Sequence, residues 1–190
     1  MEQRLFSKDF TLVVIGQIIS LFGNAAIRFA LPLYLLNLTG SSALYGMVTA
    51  CAFIPSILLS PVGGIVADRV NKRNVMVILD FFTAVVILAF ALLRNEANIT
   101  VLLTASLMIL YGIAGAYQPS VQASIPALVS PERFMAANSI INTVNSFSAL
   151  TGPVIGGILY SACGLAPVLY VSIACFTLSA VMELFIKIPF

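Results

Sequence analysis

The side chains able to do chemistry are few, and most of them interrupt long apolar stretches. Gln17, Ser20, Asn24 and Arg28 recur every three or four residues, so on a helix they form one stripe. Asn138, Asn142 and Asn145 repeat that spacing, and Tyr111, Gly115, Gln118 and Gln122 share a third face. Asp80 with Thr83, and Glu183, are the other polar groups of this kind. Amides, hydroxyls and a guanidinium recognise a solute by hydrogen bonds and charge. Nucleophilic and metal chemistry need more than this. The chain has no histidine, which excludes H-E-x-x-H metal sites and Ser-His-Asp triads. It also has no G-x-S-x-G. Cys51, Cys163 and Cys175 form no C-x-x-C pair and no disulfide framework; Cys51 and Cys175 read as small hydrophobes inside apolar runs. No metal or cofactor is expected, and an intramembrane enzyme is the weakest function class.

The elements that carry these groups follow from composition. Of 190 residues, 61% are apolar and 8% charged, where a soluble domain carries roughly 25% charged residues. The apolar runs reach the ~20 residues that cross ~30 Å of hydrocarbon. Six transmembrane helices are predicted: Thr11–Leu36, Ser42–Ala67, Val75–Leu93, Ile99–Tyr117, Phe134–Ser161 and Ala166–Ile186. The first is too long for a signal peptide and is followed at once by a second. Ser41-Ser42 are expected to cap the second helix and Asn74 the third. Arg4, Lys8, Arg69, Lys72, Arg73, Arg133 and Lys187 all fall on one side of this arrangement, against Arg94 on the other. By the positive-inside rule that side is cytoplasmic, and so are both termini. A net charge of +2 without a basic, aromatic-interleaved stripe argues against nucleic acid.

An arginine near mid-membrane costs at least ~2.5–3.5 kcal/mol on insertion scales, so Arg28 needs a reason. It either snorkels to the outer interface, contacts a substrate or anion in a cavity, or pairs with a residue of a further domain. Asp80 is expected near the cytoplasmic surface, in an ion pair with Arg69, Lys72 or Arg73; a proton-carrying role is the alternative. Asp68 is expected to cap or pair locally, and Glu183 to pair with Lys187 in the favourable i, i+4 order.

The cytoplasmic end of the second helix reads Gly63-Gly64-Ile65-Val66-Ala67-Asp68-Arg69-Val70-Asn71-Lys72-Arg73. Gly64 would let another helix approach, Asn71 tolerates a left-handed reversal, and the cations suit anionic headgroups. This stretch resembles the signature loop of the major facilitator superfamily, G-x-L-A-D-R-x-G-R-K. Gly64, Ala67, Asp68 and Arg69 match it, and Lys72-Arg73 supply the final cations in swapped order. Val66 stands for Leu and Asn71 for the second Gly. Gly152-Pro153-Val154-Ile155-Gly156-Gly157 is similar to the G-P-x-x-G-G core of the family's fifth-helix exporter motif, with Ser148 where an upstream glycine stands. Ile125-Pro126-Ala127-Leu128-Val129-Ser130-Pro131-Glu132-Arg133 with Ala136-Ala137-Asn138, and Arg28-Phe29-Ala30-Leu31-Pro32-Leu33-Tyr34, resemble the macrolide-efflux and enterobactin-exporter branch. Pro61-Val62-Gly63-Gly64-Ile65 also echoes Pro153-Val154-Ile155-Gly156-Gly157-Ile158, as an inverted repeat would.

The resemblance implies an all-α membrane protein: one six-helix domain over 1–190, built as an inverted 3+3 repeat of about 9–94 and 95–190. It corresponds to the N-terminal half of a transporter whose C-terminal half is absent. Gly64, Asp68, Arg69, Lys72, Arg73 and Asp80 become the gating loop, with Asp68 docking on the partner half. Gly152, Pro153, Gly156 and Gly157 become the exporter-type motif. Helices one and four would line a central cavity, with Gln17, Asn24, Arg28, Tyr111, Gln118, Asn138, Asn142 and Asn145 as its candidates, and helices three and six would lie outside, facing lipid. The expected function is export of small hydrophobic or amphiphilic compounds, of drug, macrolide or siderophore type, by alternating access from the plasma membrane. The partners are the lipid bilayer, a small-molecule substrate, and a C-terminal six-helix half or a second copy. The competing reading is a truncated, non-transporting membrane fragment or a homodimerising half-transporter.

Overall fold

Inside hydrocarbon the backbone N–H and C=O groups have no partner but their own chain, so each apolar run must close into a helix. The computed structural model describes residues 7–94 and 98–187. Arg4 and the expected repeat boundary after residue 94 lie outside the described residues. The elements are α1 (Lys8–Thr39), α2 (Ser42–Arg69), α3 (Lys72–Leu93), α4 (Ile99–Leu128), α5 (Phe134–Cys163) and α6 (Leu165–Glu183). A short 3-10 turn, Pro131–Arg133, precedes α5. All six are long and apolar enough to cross a membrane.

Local chemistry sets the ends. Ser41 Oγ accepts from the Leu44 N–H at 3.2 Å, as expected for the cap of α2. The cap of α3 is Asn71, whose Oδ1 accepts from the Arg73 N–H at 3.1 Å, so Asn74 lies inside the helix. Asn71 is not left-handed either: its φ of −60° and ψ of 114° are extended. The reversal is made by two extended residues, Val70 and Asn71. Among the described residues positive φ occurs at Gly40 and Gly164, which close the α1–α2 and α5–α6 connections. Helix α4 runs eleven residues beyond its predicted end at Tyr117, through Pro119 and Pro126. Its polar last turns read as a loop by hydropathy, yet Val121 and Ile125 are fully buried there and hold the helix together.

Helix α2 packs along α4 and α5 along α1, while α6 lies against both α1 and α3, and α3 against α4. Exchanging the first three helices for the last three maps this set of pairs onto itself. Missing side chains permit the closest approaches. A Cβ on Gly63 would stand 2.5 Å from Ala116 Cα, and one on Gly156 2.8 Å from Ala26 Cα. The interior holds two apolar clusters, one around Leu31, Phe90, Leu107 and Phe176, the other around Phe10, Met76, Val121 and Ile141. Between them runs a polar layer of Gln17, Ser20, Asp80, Thr83, Ser179 and Glu183.

Helices α3 and α6 do expose apolar outer faces, at Ile78, Phe82, Val85, Tyr170 and Leu178. Their inner faces carry part of the polar layer, however, so they are not simple lipid-facing helices. The most exposed helices are α2 and α5. Ile54, Ile57, Leu58, Val62 and Ile65 on α2, and Phe147, Leu150, Val154 and Ile158 on α5, present bare apolar surface.

Candidate functional site

The face of α1 that carries Asn24 and Arg28 opens on a cavity of about 700 Å³. Its other walls come from α2, α4 and α5, and Asp80 and Thr83 of α3 and Phe176 of α6 also line it. Of the cavity residues expected from sequence, Asn24, Arg28, Tyr111, Gln118 and Asn145 line it; Gln17, Asn138 and Asn142 do not. Arg28 points inward: its guanidinium carbon lies 3.3 Å from the centre of the Tyr111 ring, a cation–π stack. One of its N–H groups donates to Asn24 Oδ1 at 3.4 Å. Phe53 meets Tyr111 edge-on at 4.7 Å. Gln118 donates to Asn145 at 3.4 Å, and its own Oε1 is buried without a partner among the described residues. Phe29, Tyr45 and Phe53, with Tyr111, give the cavity an aromatic wall.

Gln17 lies behind this wall, fully buried, in the polar layer. Its amide donates to the Tyr117 hydroxyl at 2.8 Å, and that hydroxyl donates to Glu183 Oε1 at 2.6 Å. Ser20 donates to Asp80 Oδ1 at 3.0 Å, and Ser179 to the carbonyl of Gly16 at 3.1 Å. Residues from α1, α3, α4 and α6 therefore meet at one depth. The expected pair of Asp80 with Arg69, Lys72 or Arg73 does not form, because α3 turns Asp80 inward to 2% exposure, away from the loop. Glu183 does not pair with Lys187. It is the last residue of α6 and is buried, while Lys187 lies past the helix end, its backbone N–H donating to Asp9 at 2.9 Å. Asp80 Oδ2, Glu183 Oε2 and Gln17 Oε1 have no partner among the described residues. Tyr117 was not singled out from sequence, since the predicted fourth helix ended on it.

Residues 13–189 match the family model of the Major Facilitator Superfamily. The chain belongs to that superfamily. Superfamily members are transporters, not enzymes. The chain is 22% identical over 181 residues to "Macrolide efflux protein A" of Streptococcus pyogenes, covering 95% of this chain and 45% of the relative. It is 28% identical to "Multidrug resistance protein MdtG" of Enterobacter lignolyticus, over 88% of this chain and 40% of that one. With the MdtG protein of Serratia proteamaculans the identity is 30%, over 78% and 37%. The chain thus spans about half the length of the curated relatives it matches.

Two superfamily motifs occupy distinct places. In the loop motif Asp68 and Arg69 are exposed, and Lys72 and Arg73 half-buried. Asp68 neither caps nor pairs locally, as it makes no side-chain hydrogen bond or ion pair among the described residues. Gly64 is not the close-approach glycine among the described residues: a Cβ there would meet none of them within 4 Å, and the role falls to its neighbour Gly63. The helix-five motif is a packing seam. Gly152 faces Ala25, Gly156 faces Ala26, and a Cβ on Gly157 would stand 3.0 Å from the Phe29 ring. Buried Ser148 continues that seam one turn earlier, and Pro153 borders the cavity.

Proposed function

We propose that the chain is the N-terminal half of a secondary transporter that exports small hydrophobic or amphiphilic compounds by alternating access. The observation that carries this reading is the cavity lined by Asn24, Arg28, Tyr111, Gln118 and Asn145, flanked by the uncovered apolar faces of α2 and α5. A C-terminal six-helix half laid on those faces would close the cavity from the far side. Rocking one half on the other then exposes the site to each side of the membrane in turn. The relatives with efflux in their names support the direction. The bond between Lys187 and Asp9 brings the two ends of the described chain together, consistent with both termini lying on one side, and the lysines and arginines favour the cytoplasm. Exposed and, among the described residues, unpaired, Asp68 and Arg69 suit a contact with the partner half that stabilises one gating state.

The same apolar faces fit a second copy of the chain, which is the competing reading. The test is accumulation of fluorescent amphiphiles in efflux-deficient cells making the chain alone, or the chain with a C-terminal half. Export that requires the C-terminal half supports the proposal. Export by the chain alone favours a homodimer, and no export in either case sinks both transport readings and favours a non-transporting fragment.

A further inference from the structure

Arg28 is the one charged side chain that the described residues present to the cavity. Asp80 also borders the space, but it is 2% exposed and makes no ion pair with Arg28; its Oδ1 accepts from the Ser20 hydroxyl and its Oδ2 is buried without a partner among the described residues. The guanidinium lies flat on Tyr111 and gives one N–H to Asn24; no carboxylate of the described residues pairs with it. Its charge is therefore uncompensated within the described chain, and most of its donor fork is unused. Stacking on one ring face leaves the guanidinium edge as the side from which it can bind. A planar fork held on an aromatic platform matches the paired oxygens of a carboxylate or phosphate. Phe29, Tyr45 and Phe53 stand nearby for an apolar body.

We infer that the cavity selects amphiphiles bearing an oxyanion, a carboxylate or phosphate-type group, with Arg28 as the residue that chooses the charge. This rests on reading the cavity as the substrate site. A cationic amphiphile would meet the guanidinium without an exposed carboxylate to balance it, so the same residue rejects the opposite class.

The test is equilibrium binding of radiolabelled naphthoate and of its uncharged isostere naphthamide to the full chain in phosphatidylcholine nanodiscs. Wild type should prefer naphthoate by about tenfold, the worth of a charge-assisted hydrogen bond. Arg28→Gln should erase that preference while leaving naphthamide binding within about twofold, which also reports an intact fold. Arg28→Lys should keep only part of it, because the planar fork is lost. Equal binding of the two probes, or naphthoate binding indifferent to Arg28→Gln, overturns the charge selection and leaves the export reading standing. Binding of neither probe overturns the inference, while the export reading is decided by the efflux test. A preference abolished by adding phosphatidylglycerol assigns the fork to lipid headgroups, and one abolished by a bound C-terminal half assigns it to a carboxylate there; either result overturns the inference.

Discussion

At the residue scale, charge and helical spacing carried part of the site. Asn24 and Arg28 were legible because a stripe of period three to four marks a helix face. Gln17 belongs to the same stripe yet leaves the cavity, because the polar layer of α3, α4 and α6 closes over that turn. The bonds of Asp80 and Glu183 were not legible: their partners Ser20 and Tyr117 stand 60 and 66 residues away in sequence. Tyr117→Phe strands Glu183 Oε1 and removes the acceptor of Gln17, so it should cost about 1–3 kcal/mol. Tyr111→Phe, whose hydroxyl makes no hydrogen bond among the described residues, should cost almost nothing. Melting of the two purified variants separates them, and equal midpoints would contradict the network. Asp68→Asn should leave melting within about 0.5 kcal/mol of wild type. It should nevertheless weaken export several-fold when the C-terminal half is present. Unchanged efflux would remove Asp68 from gating.

At the element scale, six apolar runs became six helices, because a bilayer leaves the backbone no alternative. Their ends were less legible. Hydropathy drops at Gln118 and at Lys72, but α4 continues to Leu128 on the strength of Val121 and Ile125, and α3 starts at Lys72 because Asn71 caps it. Seams between helices depend on which glycine faces a neighbour, a matter of rotation that composition does not fix. Gly156→Leu would drive a side chain into the backbone of Ala26 and should lower stability by about 1–3 kcal/mol or prevent folding. Gly64→Leu meets open space in the chain and should melt within about 0.5 kcal/mol of wild type. The same change should weaken association with a C-terminal half if that helix face docks there. Comparing the two variants alone and in complex checks both seams, and equal destabilisation of the isolated chain would contradict the packing described.

At the scale of the whole molecule, the pairs α2–α4 and α5–α1, α3–α4 and α6–α1, exchange when the two triplets exchange, which supports the inverted-repeat reading. That symmetry brings α2 and α5 to the surface together. Large apolar surface is harmless against lipid, but beside a polar cavity it would border water, so a protein partner over it is the economical arrangement. The most direct measurement is the mass of the purified chain in detergent when co-expressed with the C-terminal half of a full-length relative. A one-to-one complex is expected, disrupted by bulky substitution on the exposed faces of α2 and α5. A chain that is recovered alone, as a monomer indifferent to the added half, would contradict it.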